Sequence, residues 1–238
     1  MEKRKRPELP AFTSALTQRE AMLVLGWLPM HLLILPLIFN RVLSDSIDPT
    51  TANFIYYAIG FVYMLIVGFR FLRRDFDPLA DRPFHCIVEI ITGYFAMMCF
   101  NFCVAYCILL VFPNTENPNT AEVMDLVFQG FGKMKTTLMF FAPVVEELMF
   151  RAGVFGVLRR RNRLAAYAVS MLFFSLYHVW AYALQDPVYW IYLLEYIPVA
   201  GLLCRCYERT NSIWCSIFFH MMVNGVAVNT LSALQELL

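Results

Sequence analysis

The sequence predicts an all-α protein, a polytopic transmembrane helix bundle of about seven spans. Three observations carry this reading. Hydrophobic residues make up 60% of the chain and charged residues 16%, against roughly 45–50% and about 25% in soluble domains. Several apolar runs reach the ~20 residues that cross a bilayer, more than one globular core can cover. The basic residues, finally, are divided between the loops in a way that a membrane explains.

Seven segments qualify as spans: residues 21–40, 53–72, 84–112, 135–158, 164–183, 188–207 and 212–234. The chain starts basic, and the first apolar run ends at Asn40 and Arg41 without a small-residue cleavage site. It reads as a retained helix and not as a signal peptide. The third span is long enough to tilt or to project from the bilayer. Residues 121–134 form a shorter mixed segment, expected as an interfacial helix leading into the fourth span.

Alternating spans put the N-terminus and the loops around 73–83, 159–163 and 205–211 on one side, with 15 Lys and Arg; the other side has 3, Arg41, Lys133 and Lys135. Arg151, inside the fourth span, completes the 19. The positive-inside rule then places the N-terminus in the cytoplasm and the C-terminus outside, in the plasma membrane. The expected organisation is a basic cytoplasmic segment, residues 1–20, followed by one transmembrane domain, residues 21–238. The seven cysteines form no CxxC, and their odd number argues against a disulfide framework or a zinc ribbon. Cys99, Cys103 and Cys107 recur on one helix face and read as small packing residues.

Ionisable groups at bilayer depth cost roughly 2.5–3.5 kcal/mol each, so each is a functional candidate. Here they are His31, Glu89, Glu146, Glu147, Arg151, His178, Glu195 and His220, with Asn101 and Asn224 as polar neutrals. Three of the last four spans carry one short motif each. The fourth has Glu146-Glu147-x-x-x-Arg151, the fifth Phe174-x-x-x-His178 and the seventh His220-x-x-x-Asn224. Adjacent helical residues point about 100° apart, so the two glutamates cannot share a direction. Glu147 and Arg151 stand at i, i+4 in the favourable order for an ion pair, which leaves Glu146 to face something else. Taken singly, a Glu–Arg pair reads as a structural clamp and a membrane histidine as a packing residue. Three such pairs on three long segments do not. On the helical rise, Glu146 and Asn224 lie about 18 Å from the basic end of their spans, His178 about 21 Å and His220 about 12 Å. One level in the bundle core can hold all four.

This set offers no serine or cysteine nucleophile elbow and no HExxH zinc motif. Every aspartate lies in a loop or terminal segment, so an intramembrane aspartic dyad is disfavoured. A glutamate with two histidines and an asparagine suits water activation: the carboxylate takes a proton from water, and imidazole and amide stabilise the oxyanion.

The three motifs, in this order and membrane context, resemble those of the CaaX-protease and bacteriocin-processing (CPBP) family of intramembrane proteases, which includes the Ras-converting CaaX endopeptidases. Residues 142–145 before the glutamates and 207–214 before the last motif resemble the family's flanks, and the likeness covers a core of about 137–226. It implies that Glu146 and His178 activate water and that His220 and Asn224 form the oxyanion site. Glu147 and Arg151 would support them, and Phe174 would pack beside them. Glu146, His178 and His220 could also hold zinc with an open water position; the preferred expectation is glutamate chemistry with no cofactor. Expected partners are the lipid bilayer and a peptide or protein tail, with or without a lipid, and no nucleic acid. Glu195 and Glu89 fall outside the family pattern; Glu89, near a helix end, could snorkel.

A non-catalytic immunity or scaffold protein on the same fold is the alternative. A transporter would require broken helices and repeats, and the sequence shows neither. Topology is tested by cysteine labelling in the loops at 113–120 and 159–163. The two should react from opposite sides of the membrane; labelling of both from one side would refute the alternation of spans.

Overall fold

The computed structural model describes residues 11–39, 41 and 46–235. The basic run at residues 3–6 lies outside them. Among the described residues every regular element is helical. Six helices among the described residues are long and apolar enough to cross a membrane. We label the elements α1 (Gln18–Ile38), α2 (Pro49–Arg74), α3 (Pro83–Val111), α4 (Pro118–Gln129), α5 (residues 131–159), α6 (Arg163–Ala183), α7 (Leu193–Thr210) and α8 (Ile213–Gln235). α7 is preceded by a 3-10 turn, Pro187–Tyr192. α5 is the seventh rod. It is helical along its length but wound in alternating α and π pieces. The mixed segment expected at residues 121–134 is helical, as α4 and the start of α5.

Local chemistry explains the ends. Thr17 and Glu20 form a reciprocal capping box on α1, which satisfies two backbone donors at once. Asp48, Asn117 and Asn162 cap α2, α4 and α6 by accepting from backbone N–H groups. Asn211 ends α7 in the left-handed region, at φ 54°. A proline explains two of the π windings. Its ring cannot donate and crowds the carbonyl four residues back. The π pieces Met30–Ile34 and Thr137–Phe141 cover the carbonyls that Pro36 and Pro143 would meet, and an extra residue in the turn relieves that clash.

Lipid gives apolar helices little hydrophobic reason to associate, so close packing and polar contacts must hold the bundle. Gly93 of α3 lets Phe219 of α8 approach so closely that a Cβ would stand 2.9 Å from its ring. Gly153 of α5 admits Val24 and Leu25 of α1 in the same way, at 3.1 Å. Phe150, Phe155, Tyr207 and Phe71 fill the centre and are fully buried. Glu89 does not snorkel: it is buried and pairs with Arg205 at 3.3 Å and Arg209 at 2.7 Å, which ties α3 to α7. Cys99, Cys103 and Cys107 are exposed on the outer face of α3 and are not packing residues. A disulfide joins Cys86 to Cys215, with Cα atoms 5.7 Å apart, across the first turns of α3 and α8. The odd cysteine count and scattered spacing hid this pair, which only the packing of α3 on α8 brings together.

The arginine-bearing loops gather at one end of the bundle. There Glu208 binds Arg159, Arg163 and Tyr167, and Asn211 holds the backbone at Ala11 and Thr13. Asp75 is the hub. Its carboxylate accepts from Ser14 and from the backbone N–H of Ile213, and its carbonyl accepts from Ser212. It thereby joins the N-terminal strap, the end of α2 and the start of α8. Burial pushes its carboxyl up from the ordinary 3.8 to about 6. The folded protein thus holds the proton more tightly than the unfolded chain does. This term stabilises the fold fully below the unfolded value and is lost as pH rises through about 6, at most roughly 3 kcal/mol. Melting temperature in detergent should therefore fall between pH 4.5 and 7 more in the wild type than in Asp75→Asn. Parallel pH profiles would refute the assignment.

Candidate active site

Four elements deliver the motifs to one point. α5 carries Glu146, Glu147 and Arg151, α6 carries Phe174 and His178, α8 carries His220 and Asn224, and α2 adds Tyr57. Glu146 ends an α piece and Glu147 begins the π piece Glu147–Phe155. The two carboxylates leave the helix in different directions, as the sequence predicts, and do different work.

Glu147 is fully buried. One oxygen lies 3.1 Å from Arg151 Nη1 and accepts from His220 Nδ1 at 2.9 Å. The other accepts from Ser216 Oγ at 2.5 Å. Arg151, also fully buried, sets its guanidinium 4.1 Å over the Phe174 ring. A desolvated cation on an aromatic face is stabilised by roughly 2 kcal/mol. Phe174 therefore supports the arginine as well as packing beside the site.

Each histidine has one nitrogen committed. His178 Nδ1 lies 2.9 Å from the Phe174 carbonyl. A carbonyl only accepts, so Nδ1 carries the proton and Nε2 is free. The His220 Nδ1 bond to Glu147 frees its Nε2 likewise. Both free nitrogens face one atom: Glu146 Oε2 stands 3.8 Å from His178 Nε2 and 3.9 Å from His220 Nε2. That oxygen is buried and has no protein hydrogen-bond partner. Gaps of this size between polar atoms fit a bridging water. Tetrahedral zinc ligands would stand closer, roughly 3.3 Å apart at normal bond lengths. Among the described residues no group of three His, Cys, Asp or Glu side chains is set to hold a metal ion.

Glu146 Oε1 takes part in a chain that sequence reasoning missed. Tyr57 donates to it at 3.3 Å, Tyr57 and Tyr177 hydroxyls are 2.7 Å apart, and Tyr177 lies 3.2 Å from His31 Nε2. Each hydroxyl has one proton, so the direction is forced: His31 donates to Tyr177, Tyr177 to Tyr57 and Tyr57 to the carboxylate. His31 was a sequence candidate. Tyr177 precedes His178, but nothing in the sequence ties Tyr57 to it. Ser216 was legible in principle, since it stands four residues before His220 on the same stripe.

A cavity of about 190 Å³ opens beside the histidines. Its lining includes His178, His220 and Asn224 together with Asn101, Asn117 and Glu195. Asn224 donates to the Leu138 carbonyl at 2.9 Å, which leaves one amide N–H unused. Glu195 accepts from Asn117 Nδ2 at 2.6 Å, and Tyr196 stacks on His178 at 4.5 Å. The structure thus brings together all seven residues of the three motifs. Glu89 alone of the intramembrane acids is elsewhere.

Residues 132–226 match the family described as "Type II CAAX prenyl endopeptidase Rce1-like", a stretch that contains all three motifs. Among curated proteins, "Putative membrane peptidase YdiL" of Bacillus subtilis (strain 168) is 30% identical over 114 residues, 48% of this chain and 43% of that protein. "UPF0177 protein YxdF" of Lactococcus lactis subsp. lactis (strain IL1403) is 30% identical over 107 residues, 44% of this chain and 55% of that protein. The chain spans about half the length of the curated relatives it matches. No solved structure matches.

Glu147→Gln strands the Arg151 charge and unties His220. Breaking a buried pair costs roughly 3–5 kcal/mol, so this variant should melt well below the wild type in detergent. An unchanged melting temperature would show that the pair does not hold the bundle.

Proposed function

We propose that this chain, Rce1-like over residues 132–226, is an intramembrane endopeptidase that hydrolyses peptides or protein tails at the membrane. The observation that carries the reading is the convergence of two imidazole Nε2 atoms on an unpartnered carboxylate oxygen.

A water held between those three atoms loses a proton to Glu146, with His178 orienting it. The oxygen adds to the scissile carbonyl and a tetrahedral oxyanion forms. The free amide N–H of Asn224 donates to that oxyanion. So does Nε2–H of His220 when the ring carries both protons, with Glu147 as its counter-charge. Glu146 then passes its proton to the leaving amine, the C–N bond breaks, and acid and amine products separate. Tyr57 fixes the carboxylate by holding Oε1 and so leaves Oε2 for the water. Positioned acid–base groups of this kind contribute about 10²–10⁴ in rate.

The arginine-rich end faces the cytoplasm in this reading. The cavity, walled in part by Asn117 of the loop at 113–120, then reaches towards the opposite side.

Terminal proteomics of membranes from wild-type and Glu146→Gln cells would identify substrates. Glu146→Gln keeps shape but removes the base, so turnover should collapse while the protein still inserts and melts as before. Asn224→Ala should lose on the order of 10²–10³ in rate. Activity should survive chelation. Wild-type turnover in Glu146→Gln would favour a scaffold role, and restoration of a chelated protein by stoichiometric zinc would assign the trio to a metal.

A further inference from the structure

The cavity lining holds two acceptors that the hydrolytic steps do not use. One is Asn101 of α3, whose Oδ1 is buried without a hydrogen-bond partner. The other is Glu195, in the first turn of α7. Among the described residues its only side-chain hydrogen bond comes from Asn117 Nδ2. Among the described residues no Lys, Arg or His side chain pairs with it.

The neighbouring donors are already committed. Asn117 Nδ2 is shared between Glu195 and Tyr196, and its Oδ1 accepts from the backbone of Asn119 and Thr120. Asn119 Nδ2 goes to Tyr196. What remains facing the cavity includes the Glu195 carboxylate and the Asn101 amide, with no Lys or Arg side chain among the lining residues. A half-buried carboxylate is costly unless it is paired. The complement of such a wall is a donor-rich cation.

Size narrows the class. The cavity beside the histidines measures about 190 Å³, on the scale of one long side chain. Position narrows it further. Tyr196, next to Glu195 in the chain, stacks on His178, and His220 and Asn224 line the same cavity. A side chain seated against Glu195 would leave its own backbone beside the two histidines.

We infer that Glu195 and Asn101 form a specificity subsite for a Lys or Arg side chain next to the scissile bond. The inference rests on the protease reading and adds to it the chemistry of the residue selected.

The test uses the full-length protein in nanodiscs and a mixed-sequence peptide library, with cleavage products read by mass spectrometry. Only cuts absent with Glu146→Gln are counted. These should carry Lys or Arg at one fixed position within two residues of the cut. For peptide pairs built on such a sequence, kcat/KM should favour Lys over Met by ~10–100-fold, the range of a charge-assisted hydrogen bond. In Glu195→Gln that ratio should fall towards one, and in Glu195→Lys it should turn in favour of Asp or Glu. Asn101→Asp leaves the Glu195–Asn117 bond in place and should raise the ratio, so it tests the subsite even if the Glu195 variants fold poorly. Glu146-dependent cuts with no basic preference, or a preference unmoved by both Glu195→Gln and Asn101→Asp, would overturn the subsite and leave the protease standing. A library with no Glu146-dependent cut would overturn both.

Discussion

The Glu147 carboxylate is the contact on which the rest of the site depends. It is fully buried and binds partners from two helices: Arg151 of its own helix, and Ser216 and His220 of α8. A charge at this depth is tolerable only if its partners surround it. α8 must therefore pack on α5 at one register, and that register decides where His220 points. The same charge holds Arg151 over Phe174, and the Phe174 carbonyl sets the ring of His178. One buried anion thus orients His220 directly and holds Arg151 against Phe174, while the α6 backbone carbonyl of Phe174 sets the ring of His178.

Glu146, by contrast, is left short of partners where it faces the histidines. Oε1 is held by a one-way hydrogen-bond chain from His31, and Oε2 faces the two imidazoles alone. This asymmetry depends on how the helices are wound. Pro36 and Pro143 force π turns next to His31 and just ahead of the glutamates. A third π stretch begins at Glu147 itself. Such windings are uncommon and tend to fall at functional sites, because they re-aim side chains that a regular helix would stack.

Much of this was legible in the sequence, because membrane insertion makes polar residues expensive and so makes them informative. The seven rods, the divergence of the two glutamates and the convergence of Glu146, His178, His220 and Asn224 follow from hydropathy and helical spacing. The hidden parts depend on tertiary packing. Nothing in the local pattern distinguishes Tyr57 from other membrane tyrosines until α2 packs beside α5. Asn117 sits in what reads as an ordinary loop, and only the closing of that loop over α7 gives Glu195 a partner. Glu89 was misread as snorkelling because its partners, Arg205 and Arg209, lie more than a hundred residues away and were counted as loop charges. Cys86 and Cys215 misled for the same reason.

The Cys86–Cys215 bond has a mechanical meaning. It fastens α3 to α8 at the arginine-rich end, and the same two helices supply Asn101, His220 and Asn224 to the cavity further along. Two rods pinned at one end can separate only by swinging about the pin, like the blades of shears. Asn101 stands fifteen residues beyond Cys86, about 22 Å along the helix, so a swing of roughly 10° would part the walls there by about 4 Å. Motion at the pinned end would be close to nil. Any parting of α3 and α8 would thus be narrowest at the disulfide and widest at the end that carries the loop at 113–120.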